Sequence, residues 1–453
     1  MRYLLVICCL ILALQIATAA PPDASQGVSA NRAEPESANR VVPDSKVPEK
    51  PPVPDLPPPE DGGPNRFIYS TDEAIARFRQ IIKENSADAT SHRYLGEFLE
   101  RKAKEVGDDS LFKPAEEHLR KALALQPEYP QAKTSLAAVL CARHRFAEAL
   151  KFTEDVLQSH PRDVDVLTIH GDALLELGRY SDAEVVYERA HARSPIAEVL
   201  ARLARLAELK GELARAEELM GRAATLAAET GQPNANAWYR GRLGDLALEA
   251  GRLDDAAAIY QSIPDAVDAY HDATAGLARI RAAQGKSDEA IALYRRAIAI
   301  GPDSSMLIGL GDLYIALGKA ELAEPLFAQV VQSLSGNDEH RRALAMFYAD
   351  HGQELAAALK LARLDYAQRQ DIYAADTLAW ALYHNGKYAE AEKLMTEALR
   401  LGTKDAKLQF HAGMIQYRLA NHDKARGLLN AALGHPAFSI RDATIARAEL
   451  ARK

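Results

Sequence analysis

Three observations predict an all-α protein built as a solenoid of helical hairpins. Aromatic residues make up only 6% of a chain that is 48% apolar, and alanine leads the apolar set. That composition suits helices that approach one another closely better than a sheet with an aromatic core. A ladder of alanines runs through Ala115, Ala149, Ala183, Ala216, Ala256, Ala290, Ala323, Ala357, Ala391 and Ala425, spaced 33 or 34 residues apart except for one gap of 40. A fixed period of that length marks a repeat architecture. Glycine and proline recur at matched places in each period, where helices must stop.

The elements follow in order from the N-terminus. Residues 1–19 combine Arg2, an unbroken apolar run from Leu4 to Leu14 and the small-residue stretch Ala17-Thr18-Ala19. This is the pattern of a secretory signal peptide, with Ala20 expected as the mature N-terminus. An uncleaved membrane anchor is the alternative, although Gln15 interrupts the apolar run. Lipidation at Cys8 or Cys9 is disfavoured, because Ile7 is too large for the position before the acylated residue. Without the signal no membrane span remains, the expected location is periplasmic or secreted, and Cys141 is left with no partner for a disulfide.

Residues 20–66 hold twelve of the 22 prolines and few aliphatic side chains. Such a segment cannot bury enough apolar surface to fold, so a disordered, partly polyproline II tether is expected. A repeat solenoid is expected over 67–436, and a C-terminal capping helix over 437–453. Order begins near Ser70, where Glu73 three residues on completes a capping box. Twelve residues before nine of the ladder alanines stands another small residue, as at Ala137, Gly171, Gly244, Gly311 and Gly413. Small residues at equal heights on two antiparallel helices let their backbones approach, with Tyr187, Tyr260 and Phe327 filling the adjoining holes. Gly178, Gly211, Gly251, Gly285, Gly318, Gly352 and Gly386 lie where the first helix must end in a left-handed residue. His144 and Ala420 stand at the other two such positions, and Asn421 is expected to take the turn in the second case. Pro127, Pro161, Pro195 and Pro302 close second helices.

This pattern of small, aromatic and proline positions resembles the tetratricopeptide repeat family, strongly over 115–433 and weakly over 70–114. The resemblance implies a right-handed superhelix whose first helices line a concave groove. Three departures stand out: extra residues at 106–114, the 40-residue spacing through 230–238, and Pro325 just past the first turn of its helix.

Nothing in the sequence has the form of an active site. The thirteen histidines form no H-E-x-x-H, and no phosphate loop, G-x-S-x-G or dinucleotide fingerprint occurs. No enzyme activity, cofactor or metal is expected. A net charge of -8 spread along the chain argues against nucleic acid. Protein or peptide is the expected partner, its identity not legible.

The groove positions supply candidate contacts. In the early hairpins they are Asp165, Thr168, Asp172 and Leu175, then Glu198, Ala201, Arg205 and Glu208, which have the look of a solvated face. In the last three they become Arg342 and Met346, then Tyr373, Asp376, Trp380 and Tyr383, then Phe410, Met414 and Tyr417. An aromatic and methionine stripe with one arginine and one aspartate has the composition of a binding hot spot. The alternative is that Trp380 and its neighbours pack between hairpins or under the terminal cap. The leading expectation is an extracytoplasmic scaffold that docks a protein or peptide, for example within an envelope assembly or secretion complex. A structural subunit of an obligate complex and a carbohydrate binder using the aromatic stripe are the rivals.

Overall fold

The computed structural model describes residues 70–267 and 269–452. The expected signal peptide and tether lie outside the described residues. Within them the chain is α-helical and without strands. A leading helix, α1 (Thr71–Glu84), is followed by α2 (Ala89–Val106), α3 (Phe112–Leu125), α4 (Pro130–Ala142), α5 (Phe146–Ser159), α6 (Val164–Glu176) and α7 (Tyr180–Arg193). Next come α8 (Ala197–Leu209), α9 (Leu213–Glu229), α10 (Pro233–Glu249), α11 (Leu253–Gln261), α12 (Tyr270–Ala283), α13 (Ser287–Ile300), α14 (Ser304–Ala316) and α15 (Ala320–Leu334). The chain ends with α16 (Arg341–Asp350), α17 (Leu355–Gln368), α18 (Ile372–His384), α19 (Tyr388–Ala398), α20 (Ala406–Arg418), α21 (His422–Leu433) and α22 (Ile440–Leu450).

From α2 to α21 even-numbered and odd-numbered helices pair as antiparallel hairpins, each stacked on the next. At the start, Ser70 and Glu73 cap α1 reciprocally, as the sequence implies. Inside the hairpins the ladder alanines are fully buried from Ala115 to Ala323. Where the small residue opposite is glycine it accepts a large side chain: a Cβ on Gly171 would lie 2.4 Å from the Tyr187 ring. The close approach allowed by small residues therefore sets the hairpin geometry.

First helices end by a common device. Gly178 adopts φ 71°, and Arg179 N–H bonds back to the Leu174 carbonyl at 2.9 Å, satisfying an otherwise orphaned acceptor. His144 and Ala420 hold the same left-handed conformation and the same bond. Ala420 itself thus makes the turn expected of Asn421, whose φ is -84°. A second correction concerns the ladder. Glu354 is also left-handed, at φ 42°, and inserts one residue into the turn before α17. That slip brings Ala358 into the core in place of Ala357, which stays partly exposed.

The irregularities resolve simply. The 40-residue spacing lengthens α9 and α10 to 17 residues each, against 13 or 14 in their neighbours α7 and α8. Residues 109–111 form a short 3-10 turn between α2 and α3, and Pro325 lies within α15. Cys141 is buried and free.

The array winds until its later hairpins meet its earlier ones. Gln370 N–H donates to the Glu176 carbonyl at 3.2 Å, and the Arg400 guanidinium reaches the Gly178 carbonyl at 3.4 Å. His340 pairs with Asp109 at 3.5 Å, and Gly251 packs on Pro436. A Cβ on Gly211 would stand 2.7 Å from the Gly402 carbonyl. Turns inside the early hairpins thus touch turns between the late ones along a continuous seam. One apolar cluster accordingly spans both ends, from Ala74 to Leu246 and again from Ala345 to Ala446.

Candidate partner site in the concave interior

On five consecutive first helices, α6, α8, α10, α12 and α14, the residue after the buried small position is charged. These residues read Asp172, Arg205, Asp245, Arg279 and Asp312 in successive hairpins, an alternation of charge. Asp172 accepts two bonds from Arg202, each 2.7 Å, and a third from the Tyr187 hydroxyl. Glu208 joins Arg205 at 2.7 Å to Arg242 at 3.0 Å, while Asp245 joins Arg242 at 2.8 Å to Arg279 at 2.7 Å. Burial pushes the Glu208 carboxyl up, but the Arg205 and Arg242 guanidiniums outweigh it and hold it below its usual value. The expectation of a solvated face is therefore corrected, Asp165 alone of those early positions staying exposed. Stacking brings Asp172, Glu208 and Asp245 each against an arginine of the next repeat, Arg202, Arg242 and Arg279.

The stripe on the last three hairpins is likewise not a free surface. Arg342 bonds Asp365 at 2.9 Å and also pairs with Asp371, and Met346 is buried beside it. Tyr373, partly buried, lies under the Arg205 guanidinium at 5.3 Å. Asp376 bonds the Nδ1 of fully buried His411 at 2.7 Å. Trp380 is 2% exposed, stacks on His411 at 4.1 Å and on Tyr383 at 4.7 Å, and donates its indole N–H to Asp350 at 2.9 Å. Phe410 packs between Trp380 and Phe438, and Met414 is buried. Only Tyr417, edge-on to His422, and Tyr373 keep part of their surface. The physical reason is closure: the seam and the segment before α22 cover this end, and aromatic area removed from water stabilises the contact.

What remains open is a cavity of 1530 Å³ bounded by early hairpins, late hairpins and α22. Trp238, Tyr294, Leu307 and Phe347 give it apolar walls, and Glu176, Arg279, Asp312 and Lys407 give it charge of both signs. Burial and the nearby Asp371 raise the Glu176 carboxyl to about 7, against the pull of Arg369. Such a lining can hold a polypeptide by apolar contact with a few charge-assisted bonds. Among the described residues no group of three or more histidine, cysteine or acidic side chains is placed to hold a metal ion.

Sequence reasoning placed Asp172, Arg205 and Glu208 on the groove side by their repeat position, but did not single out Asp245, Arg279 or Asp312. It missed Glu176, Arg369 and His144, which meet only at the seam. Arg369 contacts His144 225 residues away, a separation at which no local pattern signals a contact.

A profile described as tetratricopeptide repeat matches residues 170–235, 242–305 and 377–439. The profile of anaphase-promoting complex, cyclosome, subunit 3 matches residues 108–190. No curated protein matches the sequence. Among solved structures, the chain is similar to a thermophilic TPR protein of Thermus thermophilus, at 23% identity and a TM-score of 0.34 over 39% of this chain and 91% of that one. It is also similar to yeast Tom70, at 15% identity and a TM-score of 0.29, covering 78% of this chain and 95% of that one. A human IFIT1 dimer with PPP-AAAA gives 14% identity and a TM-score of 0.41, covering 82% of this chain and 96% of that one.

Proposed function

Because this chain belongs to the tetratricopeptide repeat family, we propose that it is an extracytoplasmic protein-interaction scaffold that holds a protein or peptide partner in its concave interior. Arrays of this kind serve as scaffolds for other proteins, and their extended inner surface is suited to polypeptide ligands. The observation that carries the reading is the 1530 Å³ cavity, which is lined by apolar side chains and by charges of both signs. The extracytoplasmic part rests on residues 1–19, and mass spectrometry of the protein recovered from cells tests it. A mature N-terminus at Ala20 supports export, and an intact Met1 removes that support.

A photo-crosslinking residue placed at Gln329 or Ala343, both on the cavity wall, tests the partner site in cells. The control is Val185, which is 60% exposed and away from the cavity. A discrete adduct from the wall positions and none from Val185 is expected. Equal labelling from all three positions would remove the cavity as the site.

A further inference from the structure

The terminal helix α22 does not simply shield the last hairpin. It packs on α20 and α21, but its contact with α14, which belongs to a hairpin much earlier in the array, is just as extensive. Ile440 joins the apolar cluster of α14, and Ala443 and Ala446 are buried. Arg441 donates to the Asp350 carbonyl, and its guanidinium lies 3.8 Å from the Asp350 carboxylate. That carboxylate is a gathering point, taking Lys407 at 2.6 Å and the Trp380 indole at 2.9 Å.

The polar groups of this seat are only partly satisfied. The buried Asp442 Oδ1 accepts no hydrogen bond, with the Arg441 guanidinium at 3.4 Å, and Glu449 accepts none at Oε1, its other oxygen lying 2.9 Å from Arg452. His411 Nε2 on the facing wall, 3.9 Å from Asp350, and His435 Nδ1 have no hydrogen-bond partner. Buried polar groups left in that state oppose the packing that buries them. The apolar side of α22 that enters the contact is mostly alanine, and the cavity continues past Ile440, Ala443 and Arg447. A larger side chain at Ala443 has space to extend into, whereas Ala446 is fully buried.

We propose that α22 is a place-holder on a helix-docking surface made by α14, α20 and Asp350, and that an amphipathic helix of a protein partner binds there by displacing it. The partner helix carries a basic residue in its first turn, aimed at Asp350, a bulky apolar residue where this chain has Ala443, and a small one where it has Ala446. Three features support that chemistry: the seat already holds a helix of this chain, Asp350 already takes Arg441, and open volume adjoins Ala443. The proposal rests on the scaffold reading above and names the form of its ligand.

The test uses the full chain and a labelled peptide of residues 437–453 bearing A443L. Fluorescence anisotropy should show saturable binding, tightened about tenfold or more when Ala446→Asp in the protein loosens its own α22. The same peptide with Arg441→Glu should bind about tenfold more weakly, because the contact with Asp350 is lost. Absence of binding to a folded Ala446→Asp protein, or equal binding with and without that change, overturns the proposal. Should Ala446→Asp not fold, hydrogen exchange on the unaltered protein decides. Amides of α22 are expected to exchange about a hundredfold faster than those of α20, and equal rates overturn the proposal. Crosslinking from Gln329 that persists unchanged in the folded variant, with no peptide bound, defeats this inference while leaving the scaffold reading intact. Loss of selective crosslinking with peptide binding retained defeats the scaffold reading instead.

Discussion

The backbone N–H of Ile372 donates to the Tyr180 hydroxyl at 2.8 Å, although 192 residues separate the two. Tyr180 opens a second helix in the early part of the array, and Ile372 opens a first helix in the late part. Their bond lies on the seam that turns an open coil into one whose ends touch. Around it Arg369 meets Asp365 at 3.2 Å and Glu176 at 3.5 Å, so the seam is held by buried charge as well as by backbone bonds.

Removing Arg369 should open that seam. Arg369→Ala leaves Asp365 and Glu176 with less positive charge in a buried setting, a loss of about 3–5 kcal/mol. Chemical denaturation measures the loss, and small-angle scattering should show a larger radius in the folded variant. An unchanged radius and stability would mean that the backbone bonds alone hold the coil closed.

The seam should also loosen as pH rises. Glu176 is raised to about 7 by burial and Asp371, opposed by Arg369 and Arg342. Glu339 is raised to about 7 by burial and Asp109, opposed by Arg143 and His340. Glu249 is raised to about 8 by burial, Glu208 and Asp405, opposed by Arg205 and Arg242. A carboxyl raised in the folded state binds more protons there than in the unfolded chain. Its stabilising effect is therefore full at low pH and is lost as pH climbs from the ordinary carboxylate range through about 7 to 8. Melting temperature followed across that window should fall, and Glu176→Gln should flatten part of the slope. A melting temperature that rises with pH would contradict the assignment.

Hairpin geometry can be tested at two glycines. Gly171→Ala places a methyl 2.4 Å from the Tyr187 ring and is expected to cost about 1–3 kcal/mol by overpacking. Gly221, inside α9, has nothing within 4 Å of the added atom, so Gly221→Ala should stabilise by up to about 1 kcal/mol through helix propensity. Denaturant midpoints for the pair check the contrast, which would vanish if the small residues did not set the helix spacing.

Trp380→Ala should act on stability first. The indole is stacked, hydrogen-bonded and almost wholly buried, and truncating such a residue costs about 3–5 kcal/mol. A variant that melts as the unaltered protein does, while losing its partner, would return Trp380 to the role of a surface anchor.

Sequence determined the repeat unit, because each of its features is local. A left-handed glycine, a proline stop and a small residue facing a large one act within some forty residues, and their recurrence is visible without coordinates. Even there a single left-handed residue, Glu354, moved the core from Ala357 to Ala358, since turn length is set by backbone angles that side-chain type does not fix. Whether the groove positions face solvent was decided by tertiary structure alone. Small rotations from hairpin to hairpin accumulate until His144 meets Arg369 and Tyr180 meets Ile372, and α22 then lies across the interior. That sum depends on every interface in the array, so the same residues at Trp380, Phe410 and Met414 read as a binding stripe in one dimension and form core in three.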